Sequence, residues 1–138
     1  MMKMPAFGTL AIVLSFGCAT PVLAANQFDL VCKGKEQKRT GVPATAWNER
    51  YRIDLDGKRW CRGACKTASE IGSITADNII LSDSRAAVGG PGDVETTLSR
   101  TNGTVKEYLL MGWSGSAASL AEGTCQRDSF SGLPGQRF

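Results

Sequence analysis

After the first two dozen residues, apolar and polar positions alternate with a period of two. Phe28, Leu30 and Cys32 fall on one face and Asp29, Val31 and Lys33 on the other, so Asn26 to Lys33 reads as a strand with Cys32 turned inward. Tyr51, Ile53 and Leu55 alternate with Arg52 and Asp54 in the same way. The Asp56-Gly57 pair that follows favours a two-residue hairpin loop, because both positions tolerate positive φ. Such a loop sets Leu55 opposite Lys58, Asp54 opposite Arg59 and Ile53 opposite Trp60. An aliphatic residue then meets an aromatic on the core side, and an ion pair lies on the wet side.

A second hairpin is predicted from Glu70 to Leu81, turning at Thr75-Ala76-Asp77-Asn78. A third turns at Asn102-Gly103, where a two-residue loop pairs Arg100 with Val105, Leu98 with Glu107, Thr96 with Leu109 and Val94 with Met111. Gly34 to Asn48 is polar and basic and reads as a connecting loop with Trp47 as its large apolar anchor; Ser82 to Gly92, ending in Gly89-Gly90-Pro91-Gly92, reads as a surface loop. Ala117 to Gly123 fits either a helical turn or the start of a last strand, which Gly123 to Gln126 completes. The tail from Phe130 is irregular, with Phe130 its expected anchor. The fold class expected is therefore all-β: about seven or eight short antiparallel strands joined consecutively, forming a small meander barrel or a strongly curved sheet. Closure is favoured because it removes exposed edges.

The first 24 residues do not belong to this pattern. Lys3 precedes an apolar and small-residue run from Phe7 to Leu23, and Val22-Leu23-Ala24 presents small side chains where a signal peptidase reads. Residues 1–24 are expected to be a cleaved Sec-type signal peptide, cut after Ala24, and residues 25–138 a single β-domain that is periplasmic or secreted. Lipoprotein processing at Cys18 is disfavoured, since Ser15 stands where leucine is preferred. Four cysteines remain, and an even number in an exported chain argues for two disulfides. A local Cys61 to Cys65 bridge is favoured by the corner that Gly63 permits. Cys32 is then left for Cys125, across the ends of the chain, where barrel closure would make the first and last strands neighbours.

Composition narrows the chemistry. The chain has no histidine, which removes the commonest general base and zinc ligand. Cys-x-x-x-Cys is not the redox Cys-x-x-Cys spacing, and the glycine run at residues 89–92 lacks the Lys-Ser/Thr ending of a phosphate loop. Asp54 and Asp56 are the only closely spaced carboxylates, and turn formation and pairing with Arg59 account for them better than acid–base work. Asp54-Leu55-Asp56-Gly57 begins like a calcium loop, but Lys58 and Arg59 replace the later oxygen ligands. Asn102-Gly103-Thr104 is a glycosylation sequon that turn formation explains. No catalytic residue, metal site or cofactor is assigned, and the domain is expected not to be an enzyme.

Charge is uneven. From Lys33 to Lys66 basic residues outnumber acidic ones, and from Thr67 onward the reverse holds. Such a split is ordinarily solvated surface; as a functional feature it is a basic face. The candidate residues for an anionic partner are Arg52, Arg59, Arg62, Lys58, Lys33 and Lys35, with the three arginines expected to point outward. The partner class is an anionic envelope component or an acidic protein surface, and nucleic acid is not expected. A small apolar ligand inside the barrel is an alternative, although inward aromatics more often fill their own core.

The landmarks Phe28-Asp29-Leu30-Val31-Cys32, Tyr51-Arg52-Ile53-Asp54-Leu55, Trp60-Cys61, Leu98-Ser99-Arg100, Gly123-Thr124-Cys125 and Phe130-Ser131-Gly132-Leu133-Pro134 resemble a group of small exported bacterial β-proteins of unassigned function. That resemblance transfers no activity. The terminal cysteines and the barrel pattern are also similar, more weakly, to the periplasmic inhibitors of c-type lysozyme. That family inserts a Ser-Gly-rich loop and a lysine-bearing loop into the lysozyme cleft. Ser114-Gly115-Ser116 is the matching segment, later in the chain than in that family, and no Lys-Gly follows an aromatic residue at the corresponding place.

Overall fold

A computed structural model describes residues 26–38, 41–87, 90–111 and 117–135; the predicted leader lies outside them. Eight strands follow one another: β1 (Gln27–Gln37), β2 (Thr45–Asp54), β3 (Arg59–Arg62), β4 (Ser69–Ile74), β5 (Asn78–Ala87), β6 (Gly90–Ser99), β7 (Thr104–Met111) and β8 (Ala117–Asp128). Each pairs antiparallel with the next, and β8 pairs with β1, so the meander closes into a barrel. No helix occurs among the described residues. Closure gives the first and last strands a partner on both sides, whereas Thr45–Arg50 of β2 is laddered to β1 and Ser82–Ala87 of β5 to β6.

The period-two pattern becomes the inside and outside of the wall. Phe28, Leu30 and Cys32 face inward from β1, opposite Ile53, Tyr51 and Glu49 of β2. Ile53 in turn lies opposite Trp60 and Asp54 opposite Arg59, as the alternation predicts. Tyr51, Ile53, Trp60 and Leu81 are fully buried and fill the middle of the lumen. An eight-stranded barrel encloses little more than its own side chains, which is why three or four large residues suffice to plug it. Both disulfides form, Cys32–Cys125 and Cys61–Cys65. Cys32 and Cys125 are directly opposite in the β1–β8 ladder, with Cα atoms 3.9 Å apart. Two positions on, Gly34 meets Gly123, and a Cβ on Gly34 would lie 1.9 Å from the Glu122 carbonyl oxygen. The strands come this close because neither residue carries a side chain.

Several local expectations are corrected. Gly34 to Asn48 is mostly strand: β1 runs to Gln37 and β2 starts at Thr45. Ser82 to Ala87 and Gly90 to Gly92 are likewise paired, with β5 and β6 in register from Asn78↔Ser99 to Ala87↔Gly90. In both stretches the ladder extends past the apolar core. Backbone pairing continues there without hydrophobic side chains to mark it. Ala117 to Gly123 is strand throughout.

The third hairpin keeps its predicted face but not its partners. Leu98 pairs with Val105, Thr96 with Glu107, and Val94 with Leu109, a shift of two residues. The turn spans Arg100 to Gly103 because the Gly103 amide donates to the Ser99 carbonyl and the Asn102 side chain accepts from the Thr104 amide. In the first hairpin the positive φ falls on Lys58, at 51°, and not on Asp56 or Gly57. The Asp54 carboxylate accepts from the Gly57 amide at 2.9 Å and is buried, so it lies off the wet side that alternation assigned it.

The tail after β8 folds back over the outer face of β1–β3. Leu133 is the buried anchor, with Phe130 partly buried beside it, both against Cys61 and Cys65. The fully buried Asp29 accepts from the Ser131 amide and hydroxyl and from Arg50.

Candidate binding mouth and interior ion cluster

The six cations singled out by charge do not form one face. Arg62, expected to point outward, points into the lumen, because β3 pairs it with the inward Tyr51. Its guanidinium is 3.1 Å from Glu107, 3.8 Å from Asp83 and 3.9 Å from Glu49, and it sits over the Tyr51 and Trp60 rings. Arg52 does lie on the outer face, but the tail covers it: its Nη1 donates to the Gly132 carbonyl at 3.1 Å. Lys58 is exposed in the first turn, and Arg59 is partly buried, opposite Asp54 and Glu70 in register. Lys33 and Lys35 are exposed on β1, opposite Asn48 and Ala46. Six residues of strand separate Lys33 from the level of Arg59, about 20 Å at the usual rise.

The interior cluster is built for packing and fixation. The Tyr51 hydroxyl donates to Glu107 Oε2 at 2.6 Å and the Thr96 hydroxyl donates to the same oxygen at 3.3 Å. Thr96 and Glu107 are direct partners across β6–β7, and Tyr51 and Arg62 across β2–β3, so opposite walls of the barrel meet at one carboxylate. Burial, and next the neighbouring Glu107 charge, push the Tyr51 phenol far above its ordinary range. It stays protonated and keeps donating.

A different place gathers chemistry suited to a ligand. The turns after β2, β4 and β6 and the two ends of the barrel wall, before β1 and after β8, lie at one end of the barrel. Between them opens a cavity of about 300 Å³. Phe28, Leu30, Leu55, Ile79 and Leu98 form its walls, and Arg100 and Arg127 stand among its lining residues. Arg127 occupies an inward position of β8, opposite Leu30, and its guanidinium lies 3.9 Å from the Phe28 ring centroid. A cation at this distance from a ring is held by its electrostatic attraction to the ring face. Arg100 bridges two turns: its amide donates to the Asp77 carbonyl at 2.7 Å and its Nη1 to the Thr75 carbonyl at 2.6 Å. Asn26 donates to Asp56 across the rim at 2.9 Å.

Neither mouth arginine is among the residues that charge clustering selects. Arg100 and Arg127 are isolated cations in an acidic half of the sequence, and only the closing β8–β1 ladder brings the second beside Phe28. One signal was legible. Counting by twos from Cys125 assigns Arg127 to the inward face of the last strand, an unusual place for an arginine. Ser114-Gly115-Ser116, the segment similar to an inhibitory loop, lies outside the described residues. Comparison with known proteins finds no matching family model, curated protein or solved structure. The functional reading therefore rests on the chain's own residues.

Proposed function

We propose that the protein is an exported, non-enzymatic binding domain that takes an anionic amphiphile of the cell envelope into the mouth at the turn end of its barrel. One observation carries this reading: an apolar-walled cavity of about 300 Å³ lined also by Arg100 and Arg127. Pockets of this kind bind through apolar walls and are oriented by a few placed polar groups. Two cations beside aliphatic walls match a ligand with a charged head and an apolar body. An acidic protein surface fits a concave apolar site of this size less well. The two disulfides support an oxidising compartment, periplasmic or extracellular. The non-enzymatic reading is supported by the absence of histidine and by the commitment of Glu107 to Tyr51, Thr96 and Arg62.

The test is a titration of the exported protein, disulfides intact, with monomeric dioctanoyl phosphatidylglycerol and its phosphatidylcholine counterpart at low and high salt. The anionic lipid is expected to bind more tightly, with affinity falling as salt rises. A double variant, Arg100→Gln with Arg127→Gln, should lose most of that preference, while Lys33→Gln with Lys35→Gln keeps it. Equal binding of both lipids, or binding untouched by the mouth variants, overturns the proposal.

A further inference from the structure

We infer that the free edge of β2 from Thr45 to Asn48 is a docking edge for an extended acidic segment of another protein, which adds to the sheet as a strand beside Lys33 and Lys35. This surface is separate from the mouth and does not depend on what the mouth holds.

The edge exists because β3 is short. β2 is laddered to β1 from Thr45 to Asp54, but to β3 from Tyr51 to Asp54. The Gly63 amide still donates to the Arg50 carbonyl at 2.9 Å, and there the chain turns off. Gly63 and Cys65 have positive φ, the Cys65 amide donates back to the Arg62 carbonyl, and the Cys61–Cys65 bridge closes the corner. The Arg50 amide is taken by the Glu49 carboxylate at 3.0 Å. Alternate residues of a strand direct their main-chain groups to the same side. Those of Ala46 and Asn48 therefore point as Arg50's do, away from β1, and among the described residues nothing pairs with them there. Both residues are exposed, and Thr45 to Asn48 carries neither the proline nor the charge by which edges are commonly blunted. β5 is also laddered on one side from Ser82 to Ala87, but there Asp83 is directed inward, toward Arg62.

What recognises such an edge is another main chain, extended and with its own edge unpaired. Charge selects which one. Residues of an added antiparallel strand that lie opposite Ala46 and Asn48 point to the same outer face. On that face Lys33 and Lys35 stand opposite Asn48 and Ala46. Both lysines are exposed and neither forms an ion pair among the described residues. Glu122, opposite Lys35, is paired with Lys106 at 3.2 Å, and Glu36 with Lys38 at 3.9 Å. Two strand spacings, about 9.5 Å, separate β1 from the added strand, a gap that a lysine and a glutamate extended toward each other span. A second copy of this chain fits less well, since joining two β2 edges gathers the lysines of both copies on one continuous sheet face.

The test is fluorescence anisotropy of the exported protein, disulfides intact, with a labelled peptide that alternates glutamate with valine. Its counterpart with lysine for glutamate and a third peptide methylated at the glutamate nitrogens are compared with it. The glutamates are the residues that donate to β2, because they share the outer face of Ala46 and Asn48. The acidic peptide is expected to bind with an affinity that falls as salt rises. The lysine peptide and the methylated peptide should bind at least about tenfold more weakly. Hydrogen exchange of the Ala46 and Asn48 amides should slow when the acidic peptide binds. Lys33→Gln with Lys35→Gln should weaken that peptide about fivefold. Ala46→Pro removes an amide that the native ladder does not use, and should weaken it about tenfold with circular dichroism unchanged. If Ala46→Pro unfolds, the methylated peptide still decides. Equal binding of the acidic and lysine peptides, or of the plain and methylated ones, overturns the inference, as does failure of the acidic peptide to bind. Slow exchange of the two amides without peptide, together with a dimer in sedimentation, assigns the edge to a second copy and also overturns it.

Discussion

Glu107 is a buried carboxylate at the meeting point of Tyr51, Thr96 and Arg62. Removing its charge leaves the Arg62 guanidinium, itself largely enclosed, with the more distant Glu49 and Asp83. Glu107→Gln should therefore lower unfolding stability by about 2–4 kcal/mol, toward the figure for a broken buried pair. Urea denaturation of the two proteins measures it. Tyr51 gives a pH dependence of defined sign. Its phenol is raised above the ordinary value of about 10, so the unfolded state releases this proton more readily than the folded one. The contribution is complete below about pH 10 and is lost as pH rises beyond it. Stability should fall in alkali, and Tyr51→Phe should remove that part of the fall, as followed by thermal unfolding and tyrosinate absorbance across the range.

Between elements, the β1–β8 seam is the most constrained contact. Gly34 and Gly123 lie opposite one another two positions from the Cys32–Cys125 bridge, and a methyl group at residue 34 overlaps backbone rather than a movable side chain. Gly34→Ala is expected to cost about 3 kcal/mol or more, the upper part of the overpacking range, whereas Gly132→Ala, whose Cβ meets nothing within 4 Å, should show only the strain of its positive φ. Comparison of their denaturation midpoints checks this. The same scale explains what sequence alternation could and could not reveal. The first hairpin's register follows from Leu55-Asp56-Gly57-Lys58 alone, since Ile53 and Trp60 must share a face. The third hairpin's Asn-Gly pair admits either a two-residue or a four-residue turn on one face. The choice lies in the Asn102 and Gly103 hydrogen bonds, which alternation does not encode.

For the molecule as a whole, closure and cross-linking reinforce each other. The Cys32–Cys125 bridge spans 93 residues and so restricts the unfolded chain far more than Cys61–Cys65, which spans 4. In the chain-entropy description the longer bridge contributes about 4–5 kcal/mol. Cys32→Ser with Cys125→Ser should lower the unfolding temperature by much more than Cys61→Ser with Cys65→Ser, as read by scanning calorimetry. The tail adds a local lock. Removing residues 129–138 uncovers Cys61, Cys65 and the buried Asp29, and should make the short bridge more rapidly reducible, as read by thiol labelling under mild reductant.

By itself the sequence determined the all-β class and the approximate number of strands, the inward face of most of them, the first hairpin's register and both favoured disulfide pairs. Each depends on local periodicity or on spacing along the chain. The tertiary structure decided which charges came together and which were covered. Arg62 lies two residues from the inward Trp60 and opposite the inward Tyr51, so it entered the lumen instead of joining Lys33 and Lys35 outside, and the carboxylates it meets there come from other strands. Arg52 was covered by a tail eighty residues away in sequence. Arg127 reached Phe28 only because the last strand closes on the first. A candidate site made of residues from both ends of the chain has no signature in any one segment. It exists once closure brings those ends side by side.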